Sequence, residues 1–199
     1  MRHASAAARA VAVAGLLFGS AMPACTDSTP EAAPADPTYG LGHAPAPAAL
    51  AAIDIDVDPT GRGLPVGSGS VTSGAVVYAA QCASCHGARG EGIAPSPALV
   101  GRTPDVGYDF SKGERAPRTI GNYWPYATTV FDYVRRAMPL SSPGSLTASE
   151  TYGVVAWLLH QNGIIDSTAV MDATSLPAVT MPARRIFVPD DRTGGPAFR

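Results

Sequence analysis

Residues 81–90 read QCASCHGARG, and the spacing Cys82-x-x-Cys85-His86 decides what kind of chain this is. Three chemistries use a cysteine pair two residues apart. A structural zinc site needs about four nitrogen and sulfur ligands, usually from two such pairs. This chain has one pair with one adjacent histidine, and its third cysteine, Cys25, lies far upstream. A thioredoxin-type dithiol belongs in a strand–helix–strand setting, whereas the flanks here read as helix before the motif and loop after it. The remaining reading is C-x-x-C-H, the covalent attachment pattern of c-type haem. Cys82 and Cys85 add across the two porphyrin vinyl groups as thioethers, and His86, held beside the second anchor, reaches the iron from one face.

One covalent haem c, carrying iron, is therefore the expected cofactor, and the sixth iron position decides its use. A methionine sulfur makes an electron carrier with a raised potential, while an open position allows ligand binding or catalysis. Met138, Met171 and Met181 are available, with His43 and His160 as rivals. Met138 falls at the end of a helical segment, with Pro139 fixing the turn that follows. His86 and Met138 are the expected iron ligands. Met171 and Met181 fall in a tail, and His160 reads as a helix-end residue beside the negative pole of its helix.

Working outward, the 199 residues suffice for one domain with extensions. They include 21 glycines and 19 prolines, well above the usual combined share of about 12%, which predicts long irregular stretches. The formal charge of −2 and the lack of a dense basic patch exclude a nucleic-acid binder. Arg2 and Arg9 flank small residues, "AVAVAGLLFG" (10–19) is too short to span a bilayer, and "SAMPAC" (20–25) supplies small residues for cleavage. Residues 1–24 thus read as an export signal and place the chain in the periplasm. Cys25 stands where a lipoprotein signal is cut, so a lipid anchor there is one expectation and ordinary cleavage nearby the other.

Residues 25–72 read as a linker and extended arm. "PAALAAI" (47–53) suits one or two helical turns. "IDIDVD" (53–58) alternates, putting Ile53, Ile55 and Val57 on one face and three aspartates on the other. A calcium loop starts with such aspartates, but Pro59 and Pro65 stand where it needs glycine and glutamate. An arm lying on its own domain or on a partner is the better reading. The compact domain is expected over 73–163. Ser73 is its candidate N-cap, a helix spans 126–138, and 145–163 holds the clearest helix, with Thr147 and Glu150 as a capping box and Gly163 as its end. Tyr152, Val155, Ala156 and Leu159 share a face there. Residues 164–199 read as a tail with little secondary structure.

Gly74, Tyr78 and Cys82 lie four apart on one helix face, and "CHGARGEGIAPSPALVG" follows the motif. These features resemble a class I cytochrome c, which implies an all-α fold around the haem. The resemblance makes Gly74 the place where the first helix crosses the last, with Tyr78 packed beside it against Tyr152, Ala156 or Trp157. It makes Pro97 the residue whose carbonyl accepts the second ring N–H of His86. "RTIGNYWPYATTVFDYVRRAMP" (118–139), with the arm and the segment "NGIIDSTAVMDATSLPAVTMP" (162–182), is similar to the cytochrome c subunits of bacterial sulfite and sulfane dehydrogenases of the sulfur-oxidation (Sox) system, the SoxD-like cytochromes. Many of those carry two haem motifs, and this chain carries one.

That resemblance implies an electron-transfer subunit that performs no bond chemistry on the sulfur compound itself. Its partners would be a molybdenum-containing dehydrogenase subunit as donor and a downstream cytochrome or terminal oxidase as acceptor. The class I resemblance implies that Tyr123, Trp124 and Tyr126 close the haem edge or hydrogen-bond its propionates; Arg118, Arg135 and Arg136 add positive charge, and of the adjacent Arg135 and Arg136 one is expected to pair with a propionate and the other to face a partner. A carrier serving another dehydrogenase or an oxidase, and a haem enzyme or sensor with an open sixth position, are the alternatives.

Overall fold

The computed structural model describes residues 39, 41–102, 117–188, 191 and 193. The expected export signal, the Cys25 anchor and the linker to residue 38 lie outside them. The described helices are α1 (Pro47–Ile53), α2 (Val71–Gln81), α3 (Ala83–His86), α4 (Ala127–Ala137) and α5 (Ala148–Gln161). The all-α expectation holds with one addition. Strands β1 (Ser68–Ser70) and β2 (Val170–Asp172) pair antiparallel, with Gly69 opposite Met171. Tight 3-10 turns follow at Leu176–Ala178 and Pro182–Ile186.

Helix α5 organises the core. Its start is fixed as the sequence predicts: the Thr147 hydroxyl accepts from the Glu150 amide, and the Glu150 carboxylate accepts from the Thr147 amide at 2.8 Å. The sequence suggested one buried face, but every residue from Thr151 to Leu159 is buried. The reason is that α2, α4, β1 and β2 all pack against it. A helix covered on several sides must be apolar all round, and "YGVVAWLL" is.

The α2–α5 crossing rests on missing side chains. A Cβ added to Gly74 would lie 1.7 Å from the Gly153 carbonyl oxygen. The sequence named Gly74 but not its partner, Gly153. Beside this contact Tyr78 stacks on Trp157, ring centroids 3.8 Å apart. Tyr152, another nominated partner, instead packs on Phe131 at 4.4 Å and donates its hydroxyl to the Pro65 carbonyl at 2.9 Å.

Helix α2 begins earlier than expected. Ser70, not Ser73, is its N-cap, and Ser73 serves as the reciprocal member of the capping box. The chain arrives at Ser70 as strand β1, so the strand's end fixes where the helix begins.

Arm and tail are seated on their own domain. Val57 from the arm and Met171, Leu176 and Met181 from the tail are buried in the common core. The alternating face holds only in part: Val57 is buried, whereas Ile53 closes helix α1 and stays exposed. The described residues from Pro45 onward belong to one compact unit. Tyr39 and residues 41–44, which precede it, are exposed.

Candidate haem-binding site

Helix α2 delivers the motif. Its C-cap is Cys82, whose amide donates to the Tyr78 carbonyl at 2.9 Å, and the short α3 turn then places Cys85 and His86. Cys82 is half-buried and Cys85 exposed, both as free thiols. Burial, followed by the charge of Cys85, pushes the Cys82 thiol up to about 11. A redox dithiol works through a lowered pKa, so this thiol is unlike one. Among the described residues no three His, Cys, Asp or Glu side chains come together to hold a metal ion by themselves.

His86 is oriented from the loop after the motif. Its Nδ1 lies 2.8 Å from the Pro97 carbonyl oxygen. With its proton on Nδ1, the ring donates to that carbonyl and keeps the Nε2 lone pair for a metal, the usual outer contact of a ligating histidine. The loop closes upon the motif: the Gly92 amide donates to the His86 carbonyl at 2.7 Å, the Ile93 amide to Cys85 at 3.2 Å, and the Leu99 amide to Gly90 at 2.8 Å. The Tyr78 hydroxyl donates to the Gly87 carbonyl at 2.9 Å. Burial first, then the charges of Cys82 and Glu91, pushes that phenol up to about 12, so it stays a neutral donor.

Sequence reasoning missed Asn162, which ties this loop to α5. Its side-chain oxygen accepts from the Gly101 amide at 3.0 Å, and its amide group donates to the carbonyls of Leu99 at 3.2 Å and Leu158 at 2.8 Å. Asn122 acts similarly on the next loop, accepting from the Thr119 amide at 2.9 Å and donating to the Pro117 carbonyl at 3.1 Å. Asn before Gly163 reads as ordinary turn chemistry, which hides the role.

Met138, the expected sixth ligand, stands at the end of α4. Met138 caps that helix in an extended conformation, φ −122° and ψ 152°, as a residue before proline should be. It is half-buried at the core margin, as are Leu99, Val100 and Trp124. Met171 and Met181 are sequestered inside the core. His160 Nδ1 lies 3.2 Å from the Ile165 carbonyl oxygen, and His43 is exposed.

The residues expected near the propionates divide. The Trp124 indole N–H donates to the Thr129 hydroxyl at 2.8 Å, and its ring meets Tyr133 edge-on at 5.8 Å. Tyr123 meets Phe187 edge-on at 5.5 Å and lies under Arg118 at 4.8 Å, and Tyr126 lies under Arg184 at 4.6 Å. The tail therefore covers these rings, which the sequence did not suggest. Arg135 lies against the arm: its Nη1 donates to the Ile55 carbonyl at 3.1 Å.

Two thiols on one helical turn, an imidazole with one nitrogen held and the other free, and a margin of half-buried apolar side chains fit a covalently bound porphyrin. A family model for cytochrome c matches residues 71–162. The chain belongs to the class I cytochromes c, haem electron carriers whose haem c is bound covalently with its iron. Within that class it is similar to the sulfane dehydrogenase SoxCD from Paracoccus pantotrophus, whose crystal structure matches with 38% sequence identity, 81% of each chain covered and a TM-score of 0.65. No curated relative matches the chain.

Proposed function

We propose that the chain is a mono-haem periplasmic cytochrome that takes electrons from a molybdenum-containing sulfite or sulfane dehydrogenase subunit. It passes them to a downstream cytochrome or terminal oxidase. Cys82 and Cys85 anchor the haem, and His86 and Met138 ligate the iron. Bound there, the haem supplies one centre that accepts and releases a single electron. The chain's own residues hold that centre in place: the Pro97 carbonyl keeps His86 in one tautomer and orientation, and the Leu99, Val100 and Trp124 side chains exclude water from its faces. Arg118, Tyr123 and Tyr126 line the propionate edge. Residues 1–24 are removed on export, leaving Cys25 either as a lipid anchor or lost to ordinary cleavage nearby.

The observation that carries the haem reading is the His86–Pro97 contact beside two free thiols. The likeness to SoxCD over 81% of the chain supports the choice of donor. Purification of the native protein from periplasm tests both. The expected result is a molybdenum subunit bound to this chain, one haem per chain retained through acid–acetone extraction, and a weak band near ~700 nm in the oxidised state from methionine ligation. Prompt carbon monoxide binding by the native reduced protein, or purification without any molybdenum subunit, would overturn the ligation or the partner respectively.

A further inference from the structure

We propose that the N-terminal arm is a clasp that holds Met138 in place, with Thr128, Asp132 and Arg135 as its positioning residues. The inference rests on Met138 as the sixth ligand. The Thr128 hydroxyl donates to the Pro59 carbonyl at 3.1 Å, the Val57 amide donates to Asp132 Oδ1 at 2.8 Å, and Arg135 Nη1 donates to the Ile55 carbonyl at 3.1 Å. Spacings of four and three put the helical members on one face. Their partners are every second residue of the arm, taken in reverse order. Two extended residues advance about 6.6 Å and one helical turn about 5.4 Å, so an extended strand can run antiparallel along α4 and stay in step for three rungs.

The clasp is supported on both sides. Arg136 Nε donates to Asp132 Oδ1 at 2.8 Å and holds the middle rung. Behind the arm, Pro177 of the tail presses so close to Gly61 that a Cβ there would lie 2.6 Å from it, and the turn containing Pro177 packs on α4. The last rung, at Arg135, is one turn from Met138. Met138 donates its own amide to Val134 at 3.2 Å, within the last turn of the helix, where fraying is easiest. Fastening that turn to the arm opposes fraying, and fraying would carry the sulfur off the iron.

Imidazole titration of the oxidised holoprotein, followed optically with the ~700 nm band, tests this. Loss of one to two hydrogen bonds in the Thr128→Val/Arg135→Met variant is expected to tighten imidazole binding roughly tenfold. Thr128→Ser/Arg135→Lys, which keeps the donors, restores the wild-type value. Arg135→Met alone serves if the double variant does not fold, with a smaller shift in the same direction. Thr147→Ala, which weakens the cap of α5 away from the clasp, lowers the melting temperature and leaves imidazole affinity unchanged. Wild-type affinity in the clasp variants, with Met138→Ala clearly tighter, overturns the clasp alone. Equal affinity in wild type and Met138→Ala overturns Met138 ligation and the clasp with it.

Discussion

At the scale of single residues, Gly74 and Gly153 determine whether the haem motif is presented at all. Gly74 lies two turns before Cys82 on the same helix face, so the crossing it permits sets where that face lies. With the Gly153 carbonyl 1.7 Å from any added Cβ, Gly74→Ala must push α2 off α5 and unstack Tyr78 from Trp157. Changes that force backbones apart belong to the exceptional class costing more than about 4 kcal/mol. The expected outcome is little or no haem-loaded protein, measured by haem absorbance per chain after expression. Cys82 and Cys85 make the chemical counterpart. The Cys82→Ser/Cys85→Ser variant is expected to release all its haem into acid acetone, where the parent retains it.

At the scale of elements, helix α4 meets the arm on one face and ends at Met138, and its acidic residue links the two. Burial, the largest single influence on Asp132, raises its pKa. The Arg136 hydrogen bond, the Val57 amide and the charges of Arg136 and Arg135 together outweigh it and hold the carboxyl below the ordinary 3.8. A folded pKa below the unfolded one means the contribution is complete above the unfolded value and is lost as pH falls through the folded one. Stability measured by urea unfolding should therefore decline below about pH 4. Asp132→Asn is expected to be less stable at neutral pH and to show a shallower acid decline.

At the scale of the whole molecule, arm and tail convert a small haem domain into a larger one. Small domains have limited apolar area to bury. Burial of Val57, Met171, Leu176 and Met181 against α4 and α5 extends the core, and the β1–β2 pair fastens the two extensions to each other. Limited proteolysis of the isolated holoprotein is expected to spare residues 54–72 and 164–186 with no partner subunit present. Rapid cleavage within 54–72 or 164–186 would show instead that a partner must order them.

The sequence alone determined the haem chemistry, because C-x-x-C-H is a local covalent requirement, and it determined α5, because a capping box and an apolar run are read within one helix. It also pointed, through resemblance, to the Gly74 crossing and to Trp157 as one of three candidate partners there. Only the tertiary structure decided that Gly153 meets Gly74, that Asn162 and Asn122 hold the loops, and that Arg135 faces the arm. It also paired arm with tail as β1 and β2. Each of these depends on groups far apart in the chain whose hydrogen-bonding or steric needs are met by a neighbour that no local pattern names.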